Sequence, residues 1–189
     1  MRLFSRGLVI CGICLVLIAA GAAAWLLLFQ PAPAAATIAR PGALAPQIAL
    51  QVVGGGTSDL HAERGKVVLV NFWATWCEPC KSEMPELQQL ADELRGKAFV
   101  LYSVDLQEDA PQVEAFQRQY GLNLYAVLDD NGEVTRAYGV RALPATFLID
   151  QQGVVRQQRL GPLLAGSADT TWSEAWLANQ VRSLLNAGA

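Results

Sequence analysis

Apolar and polar positions along the chain follow two periods, and the change from one to the other occurs at a single place. Residues 67–72 (VVLVNF) are nearly continuous in apolar and β-branched side chains, the pattern of a strand buried on both faces of a mixed sheet. Directly beyond them Met84, Leu87, Leu90 and Leu94 recur at three- and four-residue intervals, which predicts a helix starting near Cys77. Pro79 falls in its first turn, where a missing N–H is harmless. Residues 98–104 predict a second strand, parallel to the first through the intervening helix. A helix over 110–120 follows, with Val113, Phe116 and Tyr120 at helical spacing, then a strand over 124–128, a turn over 129–132 and a short helical piece over 134–138. Residues 145–150 and 154–160, joined around Gln151-Gln152-Gly153, predict an antiparallel hairpin. A loop over 161–170 leads to an amphipathic helix over 172–185. Ahead of all this, residues 48–53 and the segment around Leu60, separated by three glycines, predict a small N-terminal hairpin. The elements describe an α/β domain with a central mixed sheet flanked by helices.

The first 30 residues follow neither period. Arg2 and Arg6 precede 23 uncharged positions, 7–29, long enough to cross a hydrocarbon layer of roughly 30 Å. The next basic residue is Arg40, so the charge asymmetry puts the N-terminus in the cytoplasm and the domain outside. The length of the run favours an uncleaved signal-anchor over a cleaved signal peptide, for which residues 32 and 34–36 offer the small side chains. Residues 31–44, rich in alanine and proline, read as a tether, and the domain as 45–189. That leaves one domain of ordinary size. Beyond residue 30 twelve basic residues face seventeen acidic ones, a net −5 without a basic patch, which argues against nucleic-acid binding.

Composition adds four cysteines and one histidine. Cys11 and Cys14 lie within the apolar leader, where a thiolate is costly, and read as small apolar side chains; the residues before them do not fit a lipoprotein site. His61 reads as a surface residue. Cys77 and Cys80 differ in kind. Cys77 falls at a helix N-terminus, where unpaired N–H groups and the helix dipole favour a thiolate, and Cys80 lies one turn on, within disulfide reach. The pair can cycle between dithiol and disulfide, with Cys77 attacking and Cys80 resolving. A structural disulfide or part of a zinc site is the competing reading, but the chain offers few further ligands.

The segment FWATWCEPCK resembles the active site of thioredoxin-fold proteins. With Lys81, Glu83 and Pro85 after it, and with LPATFLID downstream, it is most similar to the membrane-anchored, extracytoplasmic thiol-disulfide oxidoreductases of the TlpA/ResA type. The resemblance runs from about residue 45 to the C-terminus. It implies a thioredoxin-like fold with a central αβ insertion, which the helix at 110–120 and the strand after it match. It also implies a cis Pro144 against the cysteine pair, leaving the backbone of Leu143 to bind an extended substrate segment beside Trp76. Asn71 stands where thioredoxin itself has a buried proton-handling aspartate. Glu83 matches a glutamate near the ResA active site, and a role for it in handling the Cys80 proton is expected; an exposed helix carboxylate is the alternative. Glu78 and Pro79, between the cysteines, are expected to tune potential and partner choice, Glu78 opposing the thiolate unless well solvated. Trp73 and Trp76 are expected to wall the site, with core packing as the alternative.

The function these features imply is reduction of disulfides in partner proteins. By resemblance, the substrates are apocytochrome c or a copper-assembly protein of cytochrome oxidase. No flavin or nicotinamide fingerprint is present and no cofactor is expected, so electrons would come from a membrane thiol-electron donor. A disulfide-forming oxidase or isomerase would use the same residues. A peroxidase of the peroxiredoxin type would need a threonine three residues before its cysteine, where this chain has Ala74. A non-enzymatic copper-binding module would have only Met84 and His61 to add to the two cysteines.

Overall fold

The computed structural model describes residues 38–163 and 174–188. The leader read as a membrane span, the tether up to residue 37 and the loop and helix start around 164–173 lie outside them. Among the described residues no helix is long and apolar enough to cross a membrane.

Six strands form one sheet: β1 (Gln51–Val52), β2 (Val67–Trp73), β3 (Phe99–Leu106), β4 (Ala126–Asp129), β5 (Ala145–Ile149) and β6 (Val155–Leu160), in the order β1-β4-β3-β2-β5-β6. β2 lies at its centre, parallel to β3 and antiparallel to β5, and all seven of its residues are buried. That explains its unbroken apolar run: both faces of this strand are covered. Side chains of a strand alternate between faces. Val67, Leu69 and Trp73 enter a core under helices α1 (Glu78–Glu93), α2 (Ala110–Tyr120) and α4 (Glu174–Ala187), where Met84, Leu87, Leu90, Val113, Phe116, Leu177 and Val181 meet them. Val68, Val70 and Phe72 enter the opposite core with Ile48, Leu60, Tyr138 and Phe147. The short helix α3 (Glu133–Ala137) supplies Val134 to this second core.

The expected αβ insertion is α2 and β4, and β4 runs parallel to β3. The N-terminal hairpin is present in reduced form. Residues 48–60 fold back through bonds from Ser58 N–H to Leu50 O (2.8 Å) and Leu60 N–H to Ile48 O (3.0 Å), while β1 itself pairs with β4. His61 is exposed, as expected.

One boundary is corrected. Residues 38–44, assigned above to the tether, are bound to the domain: Ala39 N–H donates to Ala137 O (3.2 Å), Gly42 N–H to Val155 O (2.8 Å), and Leu44 bridges Val154. Ala39 is buried, and the Tyr138 hydroxyl donates to Pro46 O at 3.0 Å. The hydrogen bonds of residues 39 and 42 and the Leu44 bridge are backbone to backbone, so a segment without apolar periodicity still docks.

Candidate active site

The cysteines sit where the central strand ends. β2 stops at Trp73, and a turn closed by Cys77 N–H donating to Ala74 O (3.1 Å) delivers Cys77 to the N-cap of α1 in extended backbone geometry. Pro79 lies in the first turn, as the sequence implied. The structure holds Cys77 and Cys80 as a disulfide, Cα atoms 5.3 Å apart. Cys77 Sγ also accepts from Cys80 N–H at 3.3 Å, so a first-turn donor of the helix is directed at this sulfur. The two sulfurs differ in access. Cys80 is fully buried, whereas Cys77 keeps 5% exposure at the surface. Cys77 is therefore the less buried of the two, which agrees with the order of attack read from the sequence.

The charges next to the pair are partly balanced. Glu78, with a side chain 80% exposed, accepts from Lys81 Nζ at 2.6 Å. That hydrogen bond, ahead of the cost of partial burial, raises the pKa of Lys81. Glu78 is thus both solvated and paired, the condition under which it opposes the thiolate least.

A polar group lies beneath the cysteines in the α1-side core. By strand alternation Asn71 points to the same face as Leu69 and Trp73, toward α1, and there Asn71 Nδ2 donates to Glu83 Oε1 (2.8 Å) and to Thr146 Oγ1 (3.1 Å). Leu163 N–H donates to Glu83 Oε2 at 3.0 Å. Glu83 is 1% exposed. The exposed-carboxylate alternative is therefore set aside: Glu83 is a buried acid one turn past Cys80, tied to the central strand.

Pro144 is buried and follows a cis Leu143–Pro144 bond, as the resemblance implied. Because Ala145 pairs with Phe72 and Asn71 with Thr146, Pro144 comes to the end of β2 from which the Ala74–Cys77 turn departs. Leu143 is half-buried and touches both cores. Trp76, 62% exposed, and Leu160, 56% exposed and paired to Ala145, leave apolar surface open at this end of the sheet. Trp73 takes the core-packing role. It is 1% exposed and packs in the core cluster that also holds Cys77 and Cys80, its ring centroid 4.9 Å from that of Phe116.

Three residues of the site carried no sequence signal. Thr146 reaches Asn71, and Leu163 reaches Glu83, only through tertiary packing, although Thr146 falls in the β5 register opposite Asn71. Glu108, on the loop after β3, accepts from both Thr75 N–H and Thr75 Oγ1, each at 2.5 Å, and reads in sequence as one more surface acid.

Comparison with known proteins agrees with this geometry. The AhpC/TSA family matches residues 41–158. The thiol-disulfide oxidoreductase ResA of Bacillus thuringiensis subsp. konkukian is 37% identical over 120 residues, 64% of this chain and 69% of that protein. ResA of Geobacillus thermodenitrificans is 39% identical over 116 residues, 61% of this chain and 67% of that protein. A crystal structure described as thiol:disulfide interchange protein DsbE from Chlorobium tepidum superposes with a TM-score of 0.68 at 31% identity, covering 78% of this chain and 99% of that one. With a cysteine pair at the N-cap of α1, a cis-proline at the same end of the sheet and these relatives, the chain belongs to the AhpC/TSA family as a thioredoxin-like thiol-disulfide oxidoreductase of the ResA type.

Proposed function

We propose that this oxidoreductase works as a reductase of partner-protein disulfides on the outer side of the cytoplasmic membrane, anchored by its first 30 residues. The observation that carries the direction of attack is the difference in access between Cys77 and the fully buried Cys80. In the reduced enzyme the Cys77 thiolate attacks one sulfur of a partner disulfide. An S–S bond forms between Cys77 and that sulfur, and the partner's other sulfur leaves as a thiolate. Cys80 then gives up its proton and attacks Cys77 Sγ, which forms the Cys77–Cys80 disulfide and releases the second partner thiolate. Two electrons have passed to the partner. Glu83, buried one turn from Cys80, is the acid placed to take the Cys80 proton. Return to the dithiol needs two electrons from a membrane thiol-electron donor.

The substrates that the ResA resemblance favours are the haem-attachment cysteines of apocytochrome c or the cysteine pair of a copper-assembly protein. Trp76 and Leu143 beside Pro144 offer a surface for an extended segment around such a pair. Localisation rests on Arg2, Arg6 and the 23 uncharged positions after them. Protease added outside intact spheroplasts is expected to digest the domain; full protection would contradict the orientation. To identify substrates, the full chain carrying Cys80→Ser is expressed in cells and its mixed disulfides are sequenced. A partner with a haem-attachment or copper-ligating cysteine pair is expected. Capture of newly exported proteins at large would instead indicate an oxidase or isomerase.

A further inference from the structure

The loop between β3 and α2 brings a second acidic group to the nucleophile, separate from Glu83. Gln107 adopts a left-handed backbone (φ 62°), and the chain turns so that Glu108 N–H donates to Asp105 Oδ1 at 3.1 Å. The Glu108 side chain, 8% exposed, then reaches across to the turn that carries Cys77. Its two oxygens accept separately from Thr75, Oε2 from the backbone N–H and Oε1 from the hydroxyl, both at 2.5 Å. Gln112 Nε2, one turn into α2, donates to Glu108 Oε1 and also to Thr75 Oγ1 at 3.2 Å. Thr75 is two residues before Cys77 and lies inside the turn closed by Cys77 N–H and Ala74 O. The carboxylate therefore grips the middle of a four-residue turn whose last member is the nucleophile.

We propose that Glu108 is a positioning residue for Cys77: clamped on Thr75, it fixes the nucleophile's turn and sets its carboxylate on that turn two residues from the thiol, holding the thiol less acidic than the helix terminus alone would make it. The inference rests on Cys77 being the attacking thiol. A carboxylate that accepts from a backbone N–H, a hydroxyl and an amide has little freedom to relax, so the turn it holds is held in one geometry. Its charge is placed to oppose the effect of the α1 N-terminus on Cys77.

Asp105 accepts from Glu108 N–H behind the clamp. It is fully buried, its Oδ2 has no hydrogen-bond partner among the described residues, and burial first, then the nearby Glu108 carboxylate, push its carboxyl up to about 9, while the bond from Glu108 N–H acts in the opposite sense. Asp105 therefore keeps its proton at neutral pH. The other charges around the group are Asp130, from the turn after β4, and Asp109, the N-cap of α2; on the α1 side Glu78 and Lys81 pair with each other. The device belongs to the insertion, because Glu108 and Gln112 both come from the segment that leads into and forms α2. It gives that segment a part in setting the thiol, beyond covering the core.

The test uses the full chain in detergent, reduced, with Cys77 alkylation by iodoacetamide followed by mass spectrometry from pH 5 to 10. Glu108→Gln keeps the shape and removes the charge, and the alkylation midpoint of Cys77 is expected to fall by roughly half a pH unit or more. Thr75→Val keeps the charge and removes the hydroxyl contact. Its midpoint is expected to stay while the plateau rate of exchange with 5,5′-dithiobis(2-nitrobenzoate), where Cys77 is fully ionised, drops roughly threefold or more. A wild-type midpoint in Glu108→Gln, or a wild-type plateau rate in Thr75→Val, would overturn the proposal. Should Glu108→Gln not fold, the plateau rate of Thr75→Val decides alone. An unreactive Cys77 in the wild-type chain is a different failure, and would overturn the assignment of the nucleophile itself.

Discussion

Glu83 is held between two donors, the Asn71 amide at 2.8 Å and the Leu163 N–H at 3.0 Å, and that arrangement constrains what can replace it. A glutamine at this place can offer its oxygen to one of them only, and turns an NH2 toward the other. Glu83→Gln is expected to lower stability by about 1–3 kcal/mol, the cost of a buried donor left unmatched, when measured by urea unfolding. In stopped-flow exchange it is expected to slow release of the mixed disulfide by about 100-fold while leaving its formation by Cys77 largely intact. Equal release rates would remove Glu83 from the proton pathway. Asp105 behaves in the opposite sense from an ion-paired acid. Its carboxyl binds a proton more tightly folded than unfolded, so between the ordinary value of 3.8 and about 9 the native state holds more protons and stability falls as pH rises. Asp105→Asn keeps an oxygen for Glu108 N–H and supplies an amide donor in place of the acid proton. The variant is expected to match wild type near pH 4 and to exceed it by about 2 kcal/mol at pH 8, in urea unfolding across pH. An unchanged pH slope would mean that Asp105 is ionised in the native protein. The cysteines were legible from their spacing at the start of a helix, and Pro144 and Glu83 from the resemblance of the segments around them to the ResA type. Asp105 and Glu108 were not, since a carboxyl that turns inward at a strand end has the same letters around it as one that faces water.

At the scale of elements, β2 and α1 carry the site and α2 braces it. The first two were readable from the change of period at Cys77, and the β5–β6 hairpin from its apolar segments around a glycine turn. Strand order was not readable in full. β1 is two residues long and joins the sheet at β4, far along the chain, and the docking of residues 38–44 uses backbone groups that side-chain patterning does not record. The insertion's hold on the core runs through Phe116, which packs on Trp73 with centroids 4.9 Å apart and on Tyr120 at 4.4 Å. Phe116 is 6% exposed. Phe116→Ala is expected to cost about 3 kcal/mol in urea unfolding and to change the fluorescence of the folded state as Trp73 loses its neighbour. A loss below about 1 kcal/mol would show that α2 is held mainly by other contacts.

Across the whole molecule, a buried resolving cysteine, an accessible attacking one and an acid beneath them form one apparatus at the end of the central strand, and the leader is the expected means of keeping it outside the cytoplasm. The same apparatus serves a reductase or an oxidase, and the two differ in which redox state the protein stabilises. The Glu108 clamp proposed above disfavours a free Cys77 thiolate, and a less stabilised thiolate makes the dithiol the stronger reductant. The direct test is the reduction potential of the Cys77–Cys80 pair in the full chain, equilibrated in defined thiol-disulfide buffers. The account predicts a value near that of thioredoxin, about −270 mV, whereas a value near about −120 mV, that of the strongly oxidising catalysts, would contradict it and make the protein a donor of disulfides.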